Sequence, residues 1–207
     1  MPFKKFFKWF NRIFGRRKEI RLGFYGPPNA GKTTLANKIS MDWTGEPVGK
    51  VSEIPHETRE VQKKEKVTVT AGGKKLVMNL LDMPGIATKI DFEDFVKHGM
   101  TVEDAQKRAK EATKGVIEAI KWLENVDTAL VIMDATQDPY TQVNITIIGN
   151  LEARDIPVIL IANKIDLENA DPNRIKEAFP QHPVVEISGK TGEHIDKLYT
   201  AIAKYSR

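Results

Sequence analysis

Three short groups of residues have the types and spacings that a reaction on a phosphorylated ligand needs. The first is Gly26-Pro27-Pro28-Asn29-Ala30-Gly31-Lys32-Thr33, with the spacing G-x-x-x-x-G-K-[ST]. Its glycines let the backbone wrap round phosphate groups with N–H groups pointing inward. Lys32 can then reach the β- and γ-phosphates, and the Thr33 hydroxyl can ligate Mg²⁺. Gly26, Pro27, Asn29, Ala30, Gly31, Lys32, Thr33 and the adjacent Thr34 are therefore the candidate phosphate-side contacts. The competing reading is a Gly/Pro-rich turn between a strand and a helix with no ligand. An apolar segment before the loop and a helical pattern after it favour the phosphate site.

The second group is Asp82-Met83-Pro84-Gly85. An Asp at a strand's end can hold Mg²⁺ through water, and a Gly three residues on can offer its N–H to a γ-phosphate. The third is Asn163-Lys164-Ile165-Asp166. A carboxylate at Asp166 can accept from both N1–H and the 2-amino group of guanine, whereas adenine would leave that charge unpaired, a mismatch worth orders of magnitude in affinity. N-K-x-D alone often ends a strand innocently. Following the other two groups in this order, it points to a guanine nucleotide, GTP or GDP.

These loops need rigid elements to carry them. Residues 20–25 read as a first strand delivering the phosphate loop, and residues 34 to about 41 as the helix after it. Residues 42–64 are polar and irregular, with Gly45, Pro47, Gly49 and Pro55, and read as a mobile loop containing Thr58. Val67 and Val69 alternate with Thr68 and Thr70, Ala71-Gly72-Gly73 turns the chain, and residues 76–81 return as an antiparallel strand. Residues 128–133 and 157–161 are continuous apolar runs, as parallel strands buried on both faces require, with a helix at 141–153 between them. A helix near 173–179, a strand at 184–187 and a last helix from about 193 to 204 follow. Repeated strand–helix units predict a doubly wound α/β fold, with ligand loops at the C-terminal ends of the strands.

Between 86 and 125 lies a stretch too long for a simple connection. Thr101 with Asp104 resembles a helix-capping box, and Ala105, Ala109, Ala112, Val116, Ile120 and Leu123 keep helical spacing, so one long helix is expected. Residues 90–99 could form a short lid. Extra packing on the sheet and a partner surface are equal alternatives for the whole stretch.

At 207 residues the chain is long enough for one well-cored domain, and it has no cysteine, which removes disulfides, thiolate metal sites and thiol nucleophiles. No apolar run is long enough to span a bilayer, and the N-terminus lacks the apolar core of a secretory signal. The net charge of +4 conceals an asymmetry: residues 1–18 carry Lys4, Lys5, Lys8, Arg12, Arg16, Arg17 and Lys18 with no acid, so the remainder is mildly acidic. In the same segment Phe3, Phe6, Phe7, Phe10, Ile13 and Phe14 fall on one helical face. Aromatic bulk opposed by a purely cationic face is the pattern of a helix lying in an anionic membrane interface. Folding back on its own domain and binding a partner protein or RNA are the alternatives. The absence of any acid before Glu19 favours the membrane.

Over essentially all of residues 20–205 the chain resembles the translation-factor-related class of P-loop GTPases. Residues 26–33, Thr58, residues 82–85, 163–166 and 188–190 look like its five motifs in sequence. Gly-Pro-Pro-Asn-Ala-Gly-Lys-Thr and Glu57-Thr58-Arg59 are most similar to the Era-like branch. The resemblance implies an α/β P-loop GTPase domain at 19–207, with a mostly parallel six-stranded sheet, helices on both faces and 86–125 as an extended switch II and helical segment, preceded by the amphipathic helix at 1–18. It also implies that Thr58 closes on Mg²⁺ and the γ-phosphate, completing a metal set with Thr33 and Asp82. Lys164 would pack over the base, and the backbone of Ser188, Gly189 and Lys190 would touch the guanine carbonyl. The catalytic candidates are Lys32, Thr58, Gly85 and Asn29.

Three departures from the pattern matter. Ile86 stands where Ras-like proteins place the glutamine that orients water, so unaided hydrolysis should be slow. Some Era-like relatives with the same substitution use a monovalent cation held partly by the asparagine matching Asn29, which implies potassium stimulation; the alternative is that Asn29 only braces the loop. Era itself continues into an RNA-binding KH domain, and no such domain is expected here. The basic aromatic N-terminus is similar in composition to the interfacial helix of Arf-like GTPases, yet Met1-Pro2 lacks the glycine for myristoylation.

The expected function is a GTP-binding and GTP-hydrolysing molecular switch, cytoplasmic and peripheral on the inner face of a membrane, acting on a protein effector. The alternatives are a ribosome- or RNA-assembly factor whose basic tail binds RNA, and a scaffold that binds GTP and hardly turns it over. Nucleotide-dependent dimerisation is a further open route to activation.

Overall fold

The computed structural model describes residues 19–27, 29–46, 64–71, 74–81, 96, 101–104, 106 and 126–205. Pro28, Thr58, Asp82, Gly85, the segment 1–18 and most of 86–125 lie outside the described residues. The elements are β1 (Glu19–Tyr25), α1 (Lys32–Thr44), β2 (Lys64–Ala71), β3 (Lys74–Leu81), β4 (Thr128–Asp134), α2 (Gln142–Glu152), β5 (Val158–Asn163), α3 (Pro172–Ala178), β6 (Val184–Glu186) and α4 (Ile195–Tyr205). They form a six-stranded sheet in the order β2-β3-β1-β4-β5-β6. β2 and β3 are antiparallel, as the alternation at 67–70 predicts, and every other pairing is parallel.

The central strands are buried on both faces because period two sends successive side chains into two different cores. Leu22, Phe24, Leu130, Ile132, Ile159 and Ile161 point to one side, against Leu35, Ile39 and Trp43 of α1 and Leu198 and Ile202 of α4. Val131, Met133, Leu160 and Ala162 point to the other, against Ile147, Ile148 and Leu151 of α2 and Ile175 of α3. Truncating any of the larger ones to alanine removes both transfer energy and packing, a cost of about 2–5 kcal/mol. This rigid slab carries the loops at its C-terminal edge.

Several element ends differ from the sequence expectation, each through a local signal. Helix α1 starts at Lys32 rather than Thr34 and runs to Thr44 rather than Met41. It is bounded by two left-handed glycines, Gly31 (φ 96°) and Gly45 (φ 81°), and the Gly45 N–H donates to Met41 O. Residues 42–44 are therefore helix rather than loop, and the loop reading of 47–63 lies outside the described residues. Helix α3 begins at Pro172, fixed as the first helical residue by proline geometry and by the Asp171 side chain accepting from Asn173 N. Helix α4 begins two residues later than expected because Gly192 (φ 83°) and His194 (φ 57°) keep the chain out of the helical region. Strand β5 extends to Asn163, which makes that residue the strand's last rung rather than the loop's first. Within the long stretch of 86–125, residues 102–104 are helical. The Thr101 hydroxyl accepts from Asp104 N at 3.2 Å and donates to the Asp104 carboxylate at 2.8 Å, so the cap falls where expected.

Candidate functional site

The phosphate loop leaves β1 at Gly26, whose φ of 141° and close approach to the Ile132 carbonyl leave no room for a side chain. Asn29 (φ 61°) and Gly31 (φ 96°) then turn the backbone twice through the left-handed region. A Cβ on Gly31 would also run into the Asn163 amide. Helix α1 opens on this glycine with no side-chain cap and no acid in its first turn, so its positive end stays available to an anion. Lys32 is only 6% exposed and folds back along the loop, its Nζ donating to Gly26 O at 2.9 Å and Pro27 O at 2.7 Å. Thr33 is half-buried beside it; Thr34 and Asn29 are exposed and Ala30 is buried.

The loops on the side where a base is expected meet at one amide. Asn163 is buried, donates from Nδ2 to Ala30 O at 2.8 Å and accepts at Oδ1 from Gly189 N at 2.9 Å. One side chain thus ties the phosphate loop, the end of β5 and the loop after β6 together. A Cβ on Gly189 would lie in ordinary contact with the Asn163 amide and the Leu35 backbone. Ser188, fully buried, accepts at Oγ from Thr191 N at 3.0 Å, and its carbonyl accepts from Gly192 N at 2.8 Å, which shapes a tight turn with Lys190 on its outside. Lys164 has φ 69°, uncommon for a residue with a side chain, and Asp166 projects as an exposed carboxylate two residues on.

The sequence groups at 26–34, 163–166 and 188–190 are thus brought to one edge of the sheet. The remaining candidates, Thr58, Asp82 and Gly85, lie outside the described residues. Two fits are testable here: the uncapped helix end and the inward Lys32 suit a polyphosphate, and Thr33 offers the hard oxygen that Mg²⁺ prefers. Among the described residues no cluster of His, Asp and Glu could hold a metal by itself.

Known proteins with this arrangement are numerous. The family model described as a 50S ribosome-binding GTPase matches residues 21–164, more than half of the chain. The chain belongs to this GTPase family. It is 28% identical over 204 residues to GTPase Der of Caldanaerobacter subterraneus subsp. tengcongensis, covering 94% of this chain and 41% of that protein. It is 31% identical to GTPase Der of Mycoplasmopsis agalactiae, covering 89% of this chain and 39% of that one. Among solved structures it is similar to Era in complex with MgGDPNP and nucleotides 1506-1542 of 16S ribosomal RNA. That match has a TM-score of 0.61 and 25% identity, and it covers 93% of this chain and 58% of the other. A point variant of Era from Aquifex aeolicus, bound to GDP.AlF4-, gives a TM-score of 0.56 at 26% identity, over 92% and 57%. The chain therefore spans about two fifths of the Der proteins and somewhat more than half of Era.

The sequence reading missed one participant. Asp134, at the end of β4, places Oδ2 2.6 Å from Lys164 Nζ, while its Oδ1 accepts from Thr136 N at 3.0 Å and Thr136 Oγ1 at 2.7 Å. Burial works against its charge, but the Lys164 and Thr136 bonds outweigh that and hold the carboxyl below its ordinary 3.8. The available signal was an acid followed two residues later by threonine, directly after the apolar run of 128–133, the signature of an Asx turn.

Proposed function

We propose that this chain is a GTP-hydrolysing switch attached to an anionic membrane surface through residues 1–18, cytoplasmic and peripheral on the inner face. The observation that carries the nucleotide part is the Asn163 amide, which bonds the phosphate loop on one side and the loop after β6 on the other. Base and phosphate seats are thereby set at a fixed separation, as a nucleoside polyphosphate requires. Lys32 would exchange its two carbonyl partners for phosphate oxygens, and Asp166 would accept from the guanine edge. Thr33, with Thr58 and Asp82, would hold Mg²⁺, which would supply charge neutralisation at the phosphates. Gly85 N–H would meet the γ-phosphate, and Asn29, exposed in its left-handed turn, is free to contribute an oxygen to K⁺. With Ile86 after Gly85, turnover is expected to be slow and faster in potassium than in sodium.

The attachment rests on the acid-free basic and aromatic pattern of residues 1–18. Among the described residues no helix is long and apolar enough to cross a membrane. Flotation with anionic liposomes, with GDP or a non-hydrolysable GTP analogue bound and with or without residues 1–18, tests it. Binding that requires residues 1–18 supports the reading, and binding that also requires the analogue means that the switch exposes its anchor. Failure to float in every state overturns it.

A second reading has an observation of its own: the similarity to Era solved with 16S ribosomal RNA and to a family described as ribosome-binding. In that case the basic segment binds RNA phosphates. Affinity for RNA would then fall linearly with the logarithm of salt, whereas aromatic insertion into lipid leaves a component that survives high salt.

A further inference from the structure

We propose that Asp134 is a positioning residue for nucleotide binding: it holds Lys164 flat across the seat of the base, an inference that rests on the guanine-nucleotide reading above. Lys164 stands at φ 69°, a backbone state that costs a residue with a side chain on the order of 1 kcal/mol, so its neighbours must hold it there. The Leu167 N–H closes a local turn on the Lys164 carbonyl at 3.1 Å, and the end of β4 with the residue after it supplies the rest. The Asp134 carboxylate takes the ammonium at 2.6 Å. The Ala135 N–H donates to the Asn163 carbonyl at 2.9 Å, and Asp134 and Asn163 are partners in the β4–β5 register. The Ala135 carbonyl in turn accepts from Asp171 N at 2.8 Å, anchoring the turn to the start of α3.

The carboxylate is held in place by bonds that do not involve the lysine. Its second oxygen is occupied by both the N–H and the hydroxyl of Thr136, which removes rotation about the last side-chain bond. With its head tied at the strand end, the four-carbon stem of Lys164 is drawn across the loop rather than out into water. Neither side chain is freely solvated, with 30% of Lys164 and 15% of Asp134 exposed, so the pair is screened less than a surface ion pair. A base sliding in beside Asp166 would find an apolar face already in place. Asp166 reads the edge of the ring; the Asp134–Lys164 pair covers its plane. The two functions are separable.

The experiment measures binding of GDP, IDP and inorganic tripolyphosphate to wild type, Asp134→Ala, Asp134→Asn, Lys164→Ala and the double alanine variant. A wild-type chain that does not bind GDP overturns the nucleotide reading itself, and this inference with it. Given wild-type binding, Asp134→Ala should weaken GDP and IDP by the same factor, on the order of 10-fold, as expected for loss of a charged hydrogen bond. Tripolyphosphate, which touches only the phosphate loop, should stay within about twofold, and the double variant should bind GDP no worse than Lys164→Ala. Asp134→Asn, which keeps the shape and the acceptor for Thr136, should show the same selective loss in smaller measure. GDP affinity unchanged in Asp134→Ala, equal losses for GDP and tripolyphosphate, or effects of the two alanines that multiply would each overturn the proposal.

Discussion

The two halves of the proposed nucleotide seat are built differently. On the base side two side chains tie separate segments together, Asn163 to Ala30 and Gly189 and Asp134 to Lys164, while Thr136 and Ser188 brace their own turns. On the phosphate side the main side-chain bonds are those of Lys32 to its own loop's carbonyls, and these are the bonds a ligand must replace. Selectivity for a planar base depends on geometry that exists before binding, because each misplaced donor or acceptor is penalised. Capture of a polyanion tolerates a seat that its ligand completes, because helix dipole and lysine charge act over longer distances and with less angular demand.

Substitutions can break that contrast or sharpen it. The largest effect on binding is expected from Lys32→Ala, which should cost roughly 100-fold or more in GTP affinity by analogy with removal of a charged anion donor, with a smaller loss of ligand-free melting temperature than Asn163→Ala, since only one of its two carbonyl bonds is fully buried. Asn163→Ala should lower both. It leaves the buried Ala30 carbonyl and Gly189 N–H unpaired, which costs about 1–3 kcal/mol for each group, so thermal unfolding of the ligand-free chain and its GDP affinity should fall together. Equal melting losses in the two variants would erase the distinction between the halves.

Away from the seat, Tyr199 of α4 donates to Asp42 of α1 at 3.0 Å, and Lys38 pairs with the same carboxylate. Burial, with the charge and acceptor bond of Asp42, pushes the Tyr199 phenol well up from 10.0. Tyr199→Phe should cost about 1 kcal/mol in chemical denaturation and leave nucleotide affinity unaltered.

The smallest effect concerns pH. Because the folded Asp134 carboxyl lies below its ordinary 3.8, its stabilisation is complete above that value and is lost as pH falls through the folded value. Denaturation measured below about pH 4 should therefore show a steeper loss in wild type than in Asp134→Asn.

Much of this seat was legible in the residues because the loops that bind phosphate and guanine need particular chemistry at fixed spacing. Gly26, Gly31, Lys32, Asn163 and Gly189, singled out by their spacing, come to one edge of the sheet, and the apolar runs at 128–133 and 157–161 predict β4 and β5, the second of which ends on Asn163. Two things were not legible. Helix ends depend on single φ angles: Gly45 reads equally well as part of a loop or as a cap beyond Met41, and only the backbone decides. Asp134 was missed because its role depends on meeting Lys164, thirty residues later, across two strands whose register no local pattern reveals.

Asn163 has a thermodynamic consequence. A single buried amide whose two ends brace opposite halves of the seat makes those halves a linked system. Guanosine and pyrophosphate, supplied as separate molecules, should then change each other's affinity by one common factor, since free-energy coupling is reciprocal. Asn163 would set the cooperativity between two fragments that a whole nucleotide delivers as one.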